Sequence, residues 1–129
     1  MGFINKLFGG ATLEKETKEL PWIALEDHVQ LDELAERSNN KIQVIFKHST
    51  RCGISRMALN QFEQSYNVSD DALDLYYLDL ISFRDLSNEI ASRFQVWHES
   101  PQILVIKEGI AITHASHGAI TDVDLNRFI

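Results

Sequence analysis

"KIQVIFKHSTRCGISRMALNQFE", residues 41–63, passes from one periodicity to another within a few positions. "KIQVIFKH" is rich in β-branched and aromatic residues and reads as a central strand. "STRCG" is a tight polar connection. From Ile54 the apolar residues take helical spacing, and Ile54, Met57, Ala58, Phe62 and Tyr66 are expected on one inner face. The stretch is therefore a strand handing over to a helix, with the chain's single cysteine, Cys52, at the junction.

The flanking sequence repeats this alternation. "PWIAL" is a short apolar strand, and Asp27 caps a helix running to about Ser38, with Val29, Leu31, Leu34 and Ala35 inward. Asn39-Asn40 ends it. "ALDLYYLDLI" is a further strand, and Ser82 with Asp85 forms a capping box for a helix through Phe94. "QILVIKEG" and "IAITHAS" form a hairpin turning at Glu108-Gly109. Thr121 and Asp124 form a second capping box for a last short helix. The order β-α-β-α-β-α-β-β-α predicts an α/β domain over residues 21–129, with parallel strands, right-handed crossovers and an antiparallel C-terminal hairpin. Residues 1–20 read as an N-terminal arm, mobile or loosely docked through Phe3, Ile4, Leu7 and Phe8.

Composition narrows the function. Twelve basic against 19 acidic residues give a net charge of −7, which disfavours nucleic acid as a partner, because phosphate binding needs a basic face. No apolar run reaches the roughly 20 residues of a membrane helix, and the N-terminus lacks a signal-peptide pattern. The expected setting is the cytoplasm, where a lone cysteine stays free of disulfides.

Cys52 stands in a polar turn, after "HSTR" and before Gly53, whereas a packing cysteine normally lies on an apolar stripe. At a helix N-terminus the unpaired N–H groups favour the thiolate, which is the form that attacks a disulfide. The N–H groups of Ile54 and Ser55, and the Ser55 hydroxyl, are expected to face the sulfur. Arg51 and His48 are close enough in sequence to add positive charge, although His48 also fits a solvated strand end. Thr50 is expected to cap the helix. Cys52, His48, His98, His114 and His117 match no standard zinc spacing, so no metal is expected. Ser55 stands where a second cysteine would complete C-x-x-C, so the chain cannot expel a mixed disulfide by itself.

A strand, a cysteine turn and C-x-x-S opening a helix resemble the thioredoxin superfamily, and "ESPQ" supplies the proline expected before the penultimate strand. More narrowly, "FKHSTRCGISRMALNQFE" resembles the monothiol bacilliredoxins. The resemblance implies a thioredoxin-like fold and a cysteine, here Cys52, that takes bacillithiol from thiolated client proteins as a mixed disulfide. It implies a cis Pro101 preceded by Ser100, both facing the cysteine. Gly118 would lie near a bound thiol's carboxylates or in an ordinary capped loop, and Trp97 would line the groove or be a core or rim aromatic. Gly53 stands where the family has proline. No resident cofactor is implied: bacillithiol is a co-substrate, and the partners are thiolated proteins and the low-molecular-weight thiol. C-G-I-S is also similar to the C-G-F-S of monothiol glutaredoxins, which implies a [2Fe–2S] carrier as an alternative. A non-catalytic adaptor is the other.

Overall fold

The computed structural model describes residues 20–129, so the expected N-terminal arm lies outside the described residues except for Leu20. Strands β1 (Trp22–Ala24), β2 (Ile42–His48), β3 (Leu73–Asp79), β4 (Gln102–Lys107) and β5 (Ile110–Ser116) alternate with helices α1 (His28–Arg37), α2 (Gly53–Ser65) and α3 (Arg84–Phe94). Two short 3-10 turns, His117–Asp122 and Leu125–Phe128, follow where one last helix was expected. The sheet order is β1-β3-β2-β4-β5. β1, β3 and β2 run parallel, while β4 is antiparallel to both β2 and β5. This is the mixed α/β architecture read from the sequence.

β2 is buried along its whole length because both its faces are covered. Val44 and Phe46 meet Ala58 and Phe62 of α2, and Tyr66 just after it, on one side. Ile45 meets Leu31 and Leu34 of α1 and Leu86, Ile90 and Phe94 of α3 on the other. The hairpin turns at Glu108 and Gly109, both at positive φ (53° and 78°), as a tight twisted hairpin requires. Its two turn amides donate to the carbonyl and hydroxyl of Ser38, both at 2.8 Å, which fastens the hairpin to the end of α1.

Several local expectations are corrected. Val29, Ile54 and Met57 are exposed. The buried line of α2 runs through Ser55, Ala58 and Phe62, and Ile54 and Met57 each stand one position ahead of it, about 100° round the helix. Asp27 does cap α1, accepting from Gln30 N at 2.8 Å. Ser82 does not cap α3: its hydroxyl donates back to Asp79 at 2.9 Å, and Phe83 becomes the N-cap residue. Thr121 lies inside the first 3-10 turn and donates to the Gly118 carbonyl, while Asp124 caps the second turn through Asn126 N.

Candidate functional site

The topology gathers one end of the sheet. Lys47 near the end of β2 pairs with Gln102 at the start of β4, and Gln102 pairs with Ser116 at the end of β5. The turn carrying Cys52, the Ser100–Pro101 segment and the His117–Gly118 turn therefore leave the sheet at the same end. The Ser100–Pro101 peptide is cis, Pro101 is buried, and its carbonyl accepts from His117 N at 3.0 Å.

Cys52 is the N-cap residue of α2, so Thr50 is not. Its backbone N–H donates to the Ser49 carbonyl at 3.2 Å, and its carbonyl accepts the first helical bond, from Arg56 N, at 3.1 Å. The thiol is free and half-buried, and no helix N–H is hydrogen-bonded to it. The expected bonds from the α2 amides to the sulfur are thus not made. Arg51, Gly53 and Ile54 are exposed around it. Arg56 reaches back to the Thr50 carbonyl at 3.4 Å.

Ser55 turns inward rather than toward the sulfur and is wholly buried. Its hydroxyl accepts from Ser49 N at 3.0 Å and lies 2.8 Å from His48 Nδ1. Burial pushes the His48 imidazole below its ordinary value, against the pull of the Asp79 carboxylate. A neutral ring whose Nδ1 accepts the Ser55 proton carries its own proton on Nε2. His48 is buried and tilted against Tyr77, with ring centres 5.6 Å apart, so the solvated strand end is excluded. Ser49, Ser55 and His48 together hold the turn that presents Cys52.

Beside this turn, the exposed Ile54 and Met57 stand on the first turns of α2. Trp97 is 91% exposed, and it borders a shallow depression against Asn88, Ala91, Ser92 and Gln95, on the α3 side of the sheet. Gly118 is exposed in the 3-10 turn next to Pro101. No group of three His, Cys, Asp or Glu side chains gathers among the described residues. None of their helices is long and apolar enough to cross a membrane.

Sequence reasoning missed the groups behind the 97–101 loop. Lys47 is wholly buried, with Nζ 3.2 Å from the Ser87 carbonyl and 3.3 Å from His98 Nδ1. Gln102 is 1% exposed and donates to the Trp97 carbonyl at 3.0 Å. The available signal was parity: in "IQVIFKH", Lys47 shares a face with Ile45, so a lysine there must enter the core.

Comparison with known proteins agrees with this geometry. The family described as monothiol bacilliredoxin BrxC matches residues 23–125. A solved structure described as a candidate oxidoreductase with a thioredoxin fold is 34% identical, with a TM-score of 0.69 over 82% of this chain and 91% of that one. Thioredoxin from Schistosoma mansoni superposes with a TM-score of 0.64 at 19% identity, over 84% of this chain and 95% of its own. Thioredoxin from Fasciola hepatica does so at 0.59 and 19%, over 82% and 94%. The last two share the fold; the first two findings, together with the single thiol at the head of α2, make the chain a member of the monothiol bacilliredoxin family.

Proposed function

We propose that the protein removes a low-molecular-weight thiol, bacillithiol, from mixed disulfides on client proteins in the cytoplasm. The Cys52 thiolate attacks the bacillithiol sulfur of the client disulfide. A new sulfur–sulfur bond forms on Cys52, the old one breaks, and the client sulfur leaves as a thiolate that takes a proton from solvent. A second bacillithiol thiolate then attacks the bacillithiol sulfur held on Cys52, releasing the oxidised small thiol and restoring the Cys52 thiolate. The balance requires this outside thiol because the chain has no second cysteine.

The observation that carries the reading is the pairing of a solvent-reaching Cys52 with an inward Ser55. The position of a resolving sulfur holds a hydroxyl already bonded to Ser49 and His48. The Ile54–Met57 surface beside the sulfur suits an extended client segment. The test is mass spectrometry after reduced protein is mixed with a bacillithiolated client. The expected product is one bacillithiol adduct on Cys52 with a freed client thiol. An unmodified Cys52 beside an unchanged client rejects the reading.

A further inference from the structure

Lys47 is the only Lys, Arg, Asp or Glu buried among the described residues, and it leaves β2 five positions before Cys52. Its ammonium forms no ion pair with a carboxylate there; it meets the Ser87 carbonyl of α3 and the imidazole of His98. Ser87 Oγ also approaches His98 Nδ1, at 3.2 Å. The neighbour of Lys47 across the ladder, Gln102, holds the Trp97 carbonyl. Two buried polar side chains, side by side on adjacent strands, thus grip consecutive residues of one loop.

That loop has little else to hold it. Val96 is buried at one end and Pro101 at the other, but Trp97, His98 and Glu99 between them are exposed. The Ser100 hydroxyl is buried without a hydrogen-bond partner. Burying an ammonium without a carboxylate is unfavourable, and an unbranched apolar chain of similar length would fill the same space at less cost. The fold alone therefore gives no reason for a cation here.

We infer that Lys47 is a positioning residue for disulfide exchange, tying the strand that presents Cys52 to the 97–101 loop so that a client segment meets both in fixed relation. This rests on the proposed exchange reaction and adds a residue to it. Lys47 touches neither sulfur; it acts through His98.

The experiment compares wild type, Lys47→Met and His98→Phe with two substrates. 5,5′-dithiobis(2-nitrobenzoate) reports Cys52 itself, and a bacillithiolated protein reports the loop as well. Both variants are expected to keep the small-disulfide rate within about twofold while kcat/KM for the client falls roughly tenfold, with KM carrying the loss. The Trp97 indole cross-peak in a ¹H–¹⁵N spectrum is expected to move in both. His98→Phe alters an exposed side chain, so it carries the test even if Lys47→Met fails to fold. Wild-type kcat/KM for the client in the variants, or an equal loss with both substrates, overturns the inference. A wild type that reacts with the small disulfide but never with the client removes the exchange reading instead; the Trp97 resonance then decides the tether, an unmoved peak refuting it.

Discussion

Ser55 and His48 form a bonded pair in which each group satisfies the other. Truncation at Ser55 leaves Ser49 N–H and His48 Nδ1 without a partner in a buried site. Ser55→Ala is therefore expected to lower stability by about 1–3 kcal/mol in urea denaturation. Ser55→Cys, whose thiol is a weak donor, is expected to lose part of that amount. The two shifted imidazoles set a pH dependence. Burial lowers His48, and burial with the Lys47 and Arg84 cations lowers His98 against the opposing Glu99. The unfolded chain then binds more protons below the ordinary histidine value of 6.5, so stability falls as pH drops through that value. The urea midpoint is expected to decline from pH 7 to pH 5, and to decline less in His98→Phe. Lys47 follows the same sign in a higher window: burial lowers it from 10.5 to about 8. Its cost is fully present below that folded value and fades as pH rises toward 10.5. Lys47→Met is expected to be more stable than wild type by about 1–3 kcal/mol at pH 7, with the gap closing by pH 10.5.

At the scale of the element, the start of α2 has room that its sequence does not use. A Cβ built on Gly53 meets nothing within 4 Å, and Gly53 is the first helical residue. Cys52 has φ −106° and ψ 121°, a backbone that tolerates a following proline. Gly53→Pro is therefore expected to fold and to gain about 0.4–1 kcal/mol, read from the urea midpoint. The existence of each element was legible because β2 is a compact apolar run and α2 has a clear helical period. Ala58, Phe62 and Tyr66 face inward as expected, but at the start of α2 the facing was read one position off, through Ile54 and Met57 instead of Ser55. Pattern reveals which residues are apolar, but a buried line that passes through a serine shows itself only when its partner, His48 on a neighbouring strand, is in place. The same limit explains Ser82, whose hydroxyl goes to Asp79 of the preceding strand rather than to the helix it precedes.

For the molecule as a whole, the site depends on strand order. Cys52 and Pro101 are far apart in sequence, and the segments carrying them leave the sheet at the same end because β4 inserts antiparallel beside β2. Periodicity predicts the strands but not which of them are neighbours, so this pairing was legible only through the resemblance to a known family. The grip of Lys47 and Gln102 on the 97–101 loop was not legible at all, because it joins β2, α3, β4 and a loop. The exposed Ile54 and Met57 belong to the surface rather than to the core. Met57→Lys is expected to leave stability within about 0.5 kcal/mol while lowering kcat/KM for a thiolated client. A drop in stability of several times that size would return Met57 to the core.

Because Cys52 is the only sulfhydryl in the chain, a total-thiol count on the denatured protein is a direct measure of occupancy. A sample with all chains empty returns one equivalent, a fully charged one returns none, and intermediate readings give the loaded fraction without separating the species. A maleimide dye likewise has a single place to attach.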